Sequence, residues 1–462
     1  MDRSTIKEYL DSRTELAPGT KIQYGHPSPR FWEPQSSPVA GLLECLGPAR
    51  GLALYVHIPF CVPTEPSDCG FCLFAREDLA GYDVVRDYVD SLLLELDQCA
   101  AVTGRRSLQS LYFGGGTPNI LKPAEIRRLF ARIHDHFDLT EETEVTFEGY
   151  PVLFTAELLE LLLELGCNRI SLGVQTLDPN LLRHSGRHPA RKETIEAIRF
   201  CAEHSIRCSA DLITGWFDQT AEDVVADAEQ LIDWGVTGIC NHLLAVSGDS
   251  EFGRRADQLP SSEMMAEAFL AARTRMLDLG FRADSYCDYA SETQPVVRYL
   301  DMYRDILSND RIGIGYGANS LLAGTPERPG RTWKNVASLP LYRERVRSGA
   351  GPAESGFDFE REDLVLLYVL KGLEGSPFLT EAGYAERFGG ELRADFQAWW
   401  DVLEEKGWLH WNDGAPLLTG LGLYFTATIQ RCFAEPRNRA LRQRAGSSHR
   451  LGVISSTGVT GP

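Results

Sequence analysis

Three cysteines share one short segment, HIPFC-VPTEPSD-CGFC, as Cys61, Cys69 and Cys72. Soft thiolates at close spacing select zinc or iron–sulfur. A closed structural zinc site wants four ligands, and His57 could serve as the fourth. Three cysteines on one loop also suit a [4Fe–4S] cluster with one iron left open. An open iron can take nitrogen and oxygen atoms from a further ligand. The other cysteines of the total of 11 are isolated and read as small core residues.

A second chemical feature is the glycine run in YFGGGTPN, residues 112–119. Consecutive glycines let backbone approach a ligand closely and leave N–H and C=O groups free to bond it. Such runs also make plain tight turns. A third set is polar: Glu148, Gln175 and Asp211 in or at the ends of apolar segments, and Arg187 in the loop SGRHP. Each alone could be a satisfied buried group or a surface charge. Together they mark one rim.

The elements that must carry these residues alternate regularly. Short apolar runs at 52–58, 110–114, 144–148, 169–175, 207–215 and 238–245 predict strands. Amphipathic stretches at 82–100, 123–137, 155–166, 221–235 and 261–280 predict helices, with further helical sequence after 175. Six successive β/α units imply an α/β fold, a parallel sheet with outer helices that curls into a full or partial barrel. In such a barrel, functional residues sit on the loops after the strands, where the cysteines and glycines fall.

Residues 1–50 are expected to be an extension packing on the barrel, with YGHPSPRFWEPQSSP as extended chain. The barrel occupies 51–260, and 261–356 is a linking region that also serves the second cofactor and the substrate. Residues 357–435 order their predicted elements like a winged helix, a small α+β domain. It holds 14 acids against 6 bases, which argues for a lid or docking role and against reading DNA. Residues 436–462 carry Arg, Gly, Ser and Thr and read as a disordered tail.

The formal charge of −19 argues against general nucleic-acid binding. No apolar run is long enough to span a membrane. The charged N-terminus, MDRSTIKEYLDSRTE, lacks a signal-peptide core. A cytoplasmic setting, a small-molecule substrate and a monomer are therefore expected.

With these motifs in view, the chain resembles the radical S-adenosylmethionine (SAM) proteins of the oxygen-independent coproporphyrinogen III oxidase-like group, which includes class C radical SAM methyltransferases. The resemblance rests on YVHIPFC, CGFC, YFGGGTPN, SLGVQ, the SGR turn ending at Arg187, and DLITGWFDQT. It implies that Cys61, Cys69 and Cys72 hold a [4Fe–4S] cluster whose fourth iron chelates SAM. It implies that Tyr55 and Phe71 lie against this SAM, with Gly115 and Glu148 binding it. It implies a second SAM at Gly116, Thr117, Gln175, Arg187, Asp211 and Ala245. Tyr55, Glu148 and Gln175 are then the catalytic candidates, and a reducing donor such as flavodoxin or ferredoxin is the electron partner.

Three departures stand out. Seven residues separate Cys61 from Cys69, where the family usually has three. Phe74 stands where the oxidase often has another cysteine, and Asn319 where it tends to be apolar. The last two weigh against coproporphyrinogen decarboxylation. The expected reaction is methyl or methylene transfer from the second SAM to an sp2 carbon, by C-methylation or cyclopropanation. The alternatives are the decarboxylase and a haem-binding chaperone on the same scaffold.

Overall fold

A computed structural model describes residues 1–14, 25–47, 50–324, 328–375 and 379–446. Its centre is a run of six parallel strands: β1 (Gly51–Ile58), β2 (Ser110–Gly115), β3 (Glu144–Gly149), β4 (Arg169–Gln175), β5 (Arg207–Thr214) and β6 (Gly238–Leu243). They neighbour one another in sequence order. Helices α1 (Tyr82–Thr103), α2 (Pro123–His136), α3 (Ala156–Glu164), α4 (Arg191–Glu203), α5 (Ala221–Trp234) and α6 (Ser262–Asp278) alternate with them.

The two faces of this sheet differ in chemistry. Leu54, Val56, Leu111, Phe113, Val145, Phe147, Ile170, Leu172, Leu212 and Ile239 pack outward in one apolar core with residues of the helices. Because side chains alternate along a strand, the intervening residues face inward. Those are Tyr55, His57, Tyr112, Glu148, Ser171, Asp211, Cys240 and His242. The inner face is therefore polar and aromatic. Leu, Ile and Val dominate the filled interior of a closed barrel, whereas this inner face is suited to a ligand.

The expected partial barrel is present, and 261–356 does more than connect it to the C-terminal domain. It supplies strands to both edges of the sheet. Phe281–Ala283 and Asp288–Ser291 extend it antiparallel beyond β6. Asn309–Ile314 pairs parallel with β1. Asn319–Gly324, Pro329–Asn335 and Ala353–Asp358 continue it antiparallel. The sequence NDRIGIGYGANS alternates weakly and is rich in glycine, so its strand character comes from pairing rather than from pattern. Part of the loop in GTPERPG, residues 325–327, lies outside the described residues.

Each end of the chain corrects its expectation. Residues 33–34 pair with the Ala353–Asp358 edge, and Val39 and Leu42 join the barrel core. Arg3–Thr14 instead forms a helix on the C-terminal domain. Ile6 and Leu10 are buried there, four residues apart on one helical face. Arg3 and Lys7 pair with Glu405 at 3.3 and 2.6 Å.

The C-terminal domain runs as helices Arg361–Gly372, Glu381–Phe388 and Gln397–Glu405, then the hairpin Leu409–Asn412 with Ala415–Leu418. That is the winged-helix order. A last helix, Thr426–Gly446, continues through residues expected to be a disordered tail. Arg437 is 1 % exposed and bonds both carboxylate oxygens of Asp363 at 2.8 and 2.7 Å. Its partner lies 74 residues back, so composition alone could not find it. Residues 447–462 lie outside the described residues.

Candidate functional site

The cysteine segment follows β1 directly. Phe60–Cys61 pairs in parallel with Glu77–Asp78, which returns the chain beside its start. Asp68, Cys69 and Gly70 adopt φ of 61°, 51° and 73°, three successive left-handed residues. They reverse the chain, and the Cys72 amide donates to Asp68 O at 2.9 Å. Strain of this kind persists where the surroundings impose it, and it gathers at functional sites.

The long spacer between Cys61 and Cys69 is braced from within. Thr64 Oγ1 donates to Pro66 O at 2.8 Å and accepts from the Cys69 amide at 3.1 Å. Its backbone also seats against the SGR turn. A Cβ on Gly186 would stand 2.3 Å from Glu65 O, so only glycine permits this contact.

The glycine run closes the other side. The Gly116 amide donates to Ile58 O at 2.8 Å. A Cβ on Gly116 would meet Pro59 O at 2.6 Å. Thr117 follows, and its Oγ1 donates to Cys61 Sγ at 3.4 Å. Arg187 bonds Gly173 O through Nη2 at 2.8 Å and stacks over the Tyr150 ring at 4.4 Å. Gln175 ends β4 at φ 71°. The register of β4 against β5 slips there, between Ala210 and Leu212. Such a bulge re-aims the side chains around it. The structure thus gathers Cys61, Gly116, Thr117, Gln175 and Arg187 at the strand ends beside the cysteine loop.

Within the barrel, Tyr112 Oη donates to Glu148 Oε2 at 3.1 Å. Burial, with the charge of Asp211 added, pushes the Glu148 carboxyl up to about 8. Burial also raises Asp211, against the opposing charges of His242 and Arg169. Ser171 Oγ donates to Asp211 Oδ1 at 3.4 Å. Two buried acids with few donors are poised for a cationic ligand. Tyr55, Tyr112 and Tyr299 form an aromatic wall beside them, with Tyr112 and Tyr299 4.6 Å apart.

His57 is not aligned as a metal ligand. Its Nε2 lies 3.0 Å from Ala75 O, a carbonyl that can only accept, so Nε2 carries the proton. Its Nδ1 therefore accepts from Tyr55 Oη at 3.1 Å. Burial holds the imidazole down at about 4. Both nitrogens are engaged, which removes the expected fourth ligand of a zinc site at the cysteine loop.

Phe71 turns toward Trp216 and Phe252, edge-on at 5.3 and 5.8 Å. Ala245 lies two residues past β6 and is half-buried. Asn319 starts an added strand, with its Oδ1 buried and unpartnered. Sequence reasoning did not single out Tyr112, Arg169, Ser171, His242 or Tyr299 as site residues. Four of them share a signal, a polar or aromatic residue at every second position of a strand, whereas Tyr299 lies on the helix Arg298–Arg304.

Residues 55–231 match the family model of the Radical SAM superfamily. The heme chaperone HemW of Escherichia coli (strain K12) is 28% identical over 284 residues, covering 61% of this chain and 73% of its own. The heme chaperone HemW of Mycobacterium tuberculosis is 26% identical over 398 residues, covering 83% of this chain and 95% of its own. Anaerobilin synthase of Escherichia coli O157:H7 is 26% identical, covering 66% of this chain and 67% of its own. The fold of coproporphyrinogen III oxidase (HemN) from Escherichia coli superposes with a TM-score of 0.76 at 21% identity, covering 92% of this chain and 98% of that one. Fold, cysteine loop and matched domain define a radical SAM protein. Within that superfamily the chain is similar to the coproporphyrinogen III oxidase-like group. No helix among the described residues is long and apolar enough to cross a membrane.

Proposed function

We propose that the chain is a radical SAM enzyme that holds a [4Fe–4S] cluster at Cys61, Cys69 and Cys72 and SAM beside it. We propose further that a second SAM at Gly116, Thr117, Gln175, Arg187 and Asp211 donates a methyl or methylene group to an sp2 carbon of a small molecule. The observation that carries the reading is a three-cysteine loop with its nearest histidine committed elsewhere at both nitrogens. Among the described residues, the only three-donor group converging within 4.8 Å lies elsewhere in the barrel. The three loop sulfurs stand wider, which favours separate irons over one tetrahedral ion.

When bound, the cluster and SAM supply a 5′-deoxyadenosyl radical, which is the cofactor's chemistry. The chain's own residues bind and orient. Glu148, neutral while the site is empty, becomes the carboxylate that accepts from an arriving ammonium. Arg187, held over the Tyr150 ring, presents the rest of its guanidinium to a carboxylate. Asp211 offers an acceptor to ribose hydroxyls or an ammonium. The tyrosine wall excludes water from the inner face.

Incubating the anaerobically reconstituted protein with methyl-labelled SAM and a reducing donor tests the transfer. The expected products are 5′-deoxyadenosine and S-adenosylhomocysteine, with label in an added aromatic acceptor. Absence of S-adenosylhomocysteine while 5′-deoxyadenosine forms would remove the second SAM from the account. A haem-binding role has its own support, the heme chaperones among the relatives. Stoichiometric haem uptake without SAM cleavage would establish it instead. Carbon dioxide release from coproporphyrinogen would return the third alternative, the decarboxylase.

A further inference from the structure

On the inner face of the barrel, Cys240 and His242 project inward from β6. Cys287 precedes the antiparallel strand Asp288–Ser291. The donor atoms of Cys240, His242 and Cys287 all lie within 4.8 Å of one another. Cys240 Sγ is 3.2 Å from His242 Nε2. The radical SAM reading gives Cys240 and Cys287 no role, and His242 enters it only as a charge facing Asp211. We propose that Cys240, His242 and Cys287 form a second metal site, for a single zinc ion, with Asp288 completing the ligand set.

The spacing fits one ion. Zinc bonds to sulfur at about 2.3 Å and to nitrogen at about 2.0–2.1 Å, so tetrahedral donors stand roughly 3.5–4 Å apart. Two thiolates and an imidazole suit zinc over magnesium or calcium. Ligands of a multi-iron cluster bind different irons and stand farther apart. The two cysteines bind as thiolates, releasing their protons to solvent, and His242 binds as neutral imidazole.

The backbone fixes the donors before any ion arrives. Cys240 pairs across the sheet with Asp288. The Asn241 amide donates to Cys287 O at 2.8 Å, which ties the loop to β6. Ser285 Oγ accepts from the amides of Cys287 and Asp288 at 3.1 and 2.9 Å and donates to Asp288 Oδ2 at 2.6 Å. Asp288 Oδ2 stands 3.8 Å from Cys287 Sγ. A carboxylate oriented by a hydroxyl is the kind of supporting bond that metal ligands use.

Charge and access agree. Asp211 neighbours Cys240 across β5 and β6, and Glu148 faces the same interior. Arg169 is the buried base opposite them, and it is engaged with Ser209 at 2.8 Å and Thr146 at 3.4 Å. A divalent cation would offset this excess of acids. A small cavity of about 30 Å³ reaches Cys240 and Asp288.

Metal analysis of the anaerobically purified full chain, grown with zinc, tests the site. The expected result is one zinc per chain beyond the cluster iron. X-ray absorption at the zinc edge should find two sulfur ligands and the remainder nitrogen or oxygen. Cys240→Ser and His242→Asn should each lose the zinc while iron and sulfide stay unchanged. His242 is the most solvent-accessible ligand, so its replacement threatens the fold least. Zinc bound by three sulfurs would place it at Cys61, Cys69 and Cys72 and overturn the proposal. So would zinc that survives both substitutions, or a zinc-free protein whose Cys240 and Cys287 are recovered as thiols or as a disulfide. Zinc at Cys61, Cys69 and Cys72 would overturn the radical SAM reading as well, whereas the other outcomes leave that reading to SAM cleavage and the cluster iron.

Discussion

Glu148 and Asp211 face the same barrel interior with Ser171 between them, and burial makes both harder to ionise, Glu148 further so by the charge of Asp211. A positive ligand reverses that penalty, since its charge favours both carboxylates. Hydrogen bonds to charged groups contribute about 1.5–3 kcal/mol. Glu148→Gln should therefore weaken SAM binding by roughly 10- to 100-fold, with the far-UV spectrum and cluster iron unchanged. Equilibrium binding of SAM to the reconstituted variant checks this, and an unaltered affinity would remove Glu148 from the site. At this scale the sequence was informative where chemistry is contiguous. The cysteine loop and the glycine run each occupy one short segment. The site's other half was not legible, because Tyr112, Ser171 and His242 meet only after strands pair. Cys240 and Cys287 read as isolated core residues for the same reason.

At the scale of elements, the six parallel strands were legible because their outward faces are aliphatic and their ends carry turn residues. The edge strands from Asn309 onward were not, since pairing with β1 and with each other decides them. Two predictions belong here. Gly186→Ala would drive a Cβ into the Glu65 carbonyl and strain a backbone at φ 65°. The spacer should lift from the SGR turn, so reconstituted iron should fall while the thermal midpoint drops by only a few degrees. Iron equal to wild type would show that the contact does not position the cysteines. The second concerns Glu95 on α1. It accepts from Tyr342 Oη at 2.5 Å, the Gly315 amide at 2.7 Å and Asn335 Nδ2 at 2.8 Å. These bonds tie α1 to the added strands. Burial still pushes the carboxyl up to about 7 from 4.5. Between those values the folded state keeps a proton that the unfolded chain has lost, so stability falls as pH rises through the window. Glu95→Gln should flatten that slope and cost about 1–3 kcal/mol from mismatched donors. Urea unfolding at several pH values measures both effects.

Across the whole molecule, a second apolar core joins the C-terminal domain, the N-terminal helix and the barrel residues Ile213, Trp216 and Phe269. One buried ionic group reinforces it. Asp363 takes two bonds from Arg437 and lies 3.0 Å from His26 Nε2. Burial raises this carboxyl, but the bonds from His26 and Arg437 outweigh it and hold it at about 2. Its contribution to stability is therefore present above the unfolded value of 3.8 and lost as pH falls through about 2. Arg437→Met strands a buried acid and should destabilise by about 3–5 kcal/mol, read by denaturant unfolding at neutral pH. Composition hid this contact by making the last helix look like a solvated tail. The claim on which the molecule's function turns is a vacant iron corner at Cys61, Cys69 and Cys72. Its most direct measurement is 5′-deoxyadenosine release from SAM by anaerobically reconstituted protein under dithionite, beside iron and sulfide content. The account predicts four irons and four sulfides per chain and deoxyadenosine formation, both lost in Cys69→Ser. Iron-free protein after reconstitution, or a full cluster that leaves SAM intact, would contradict it.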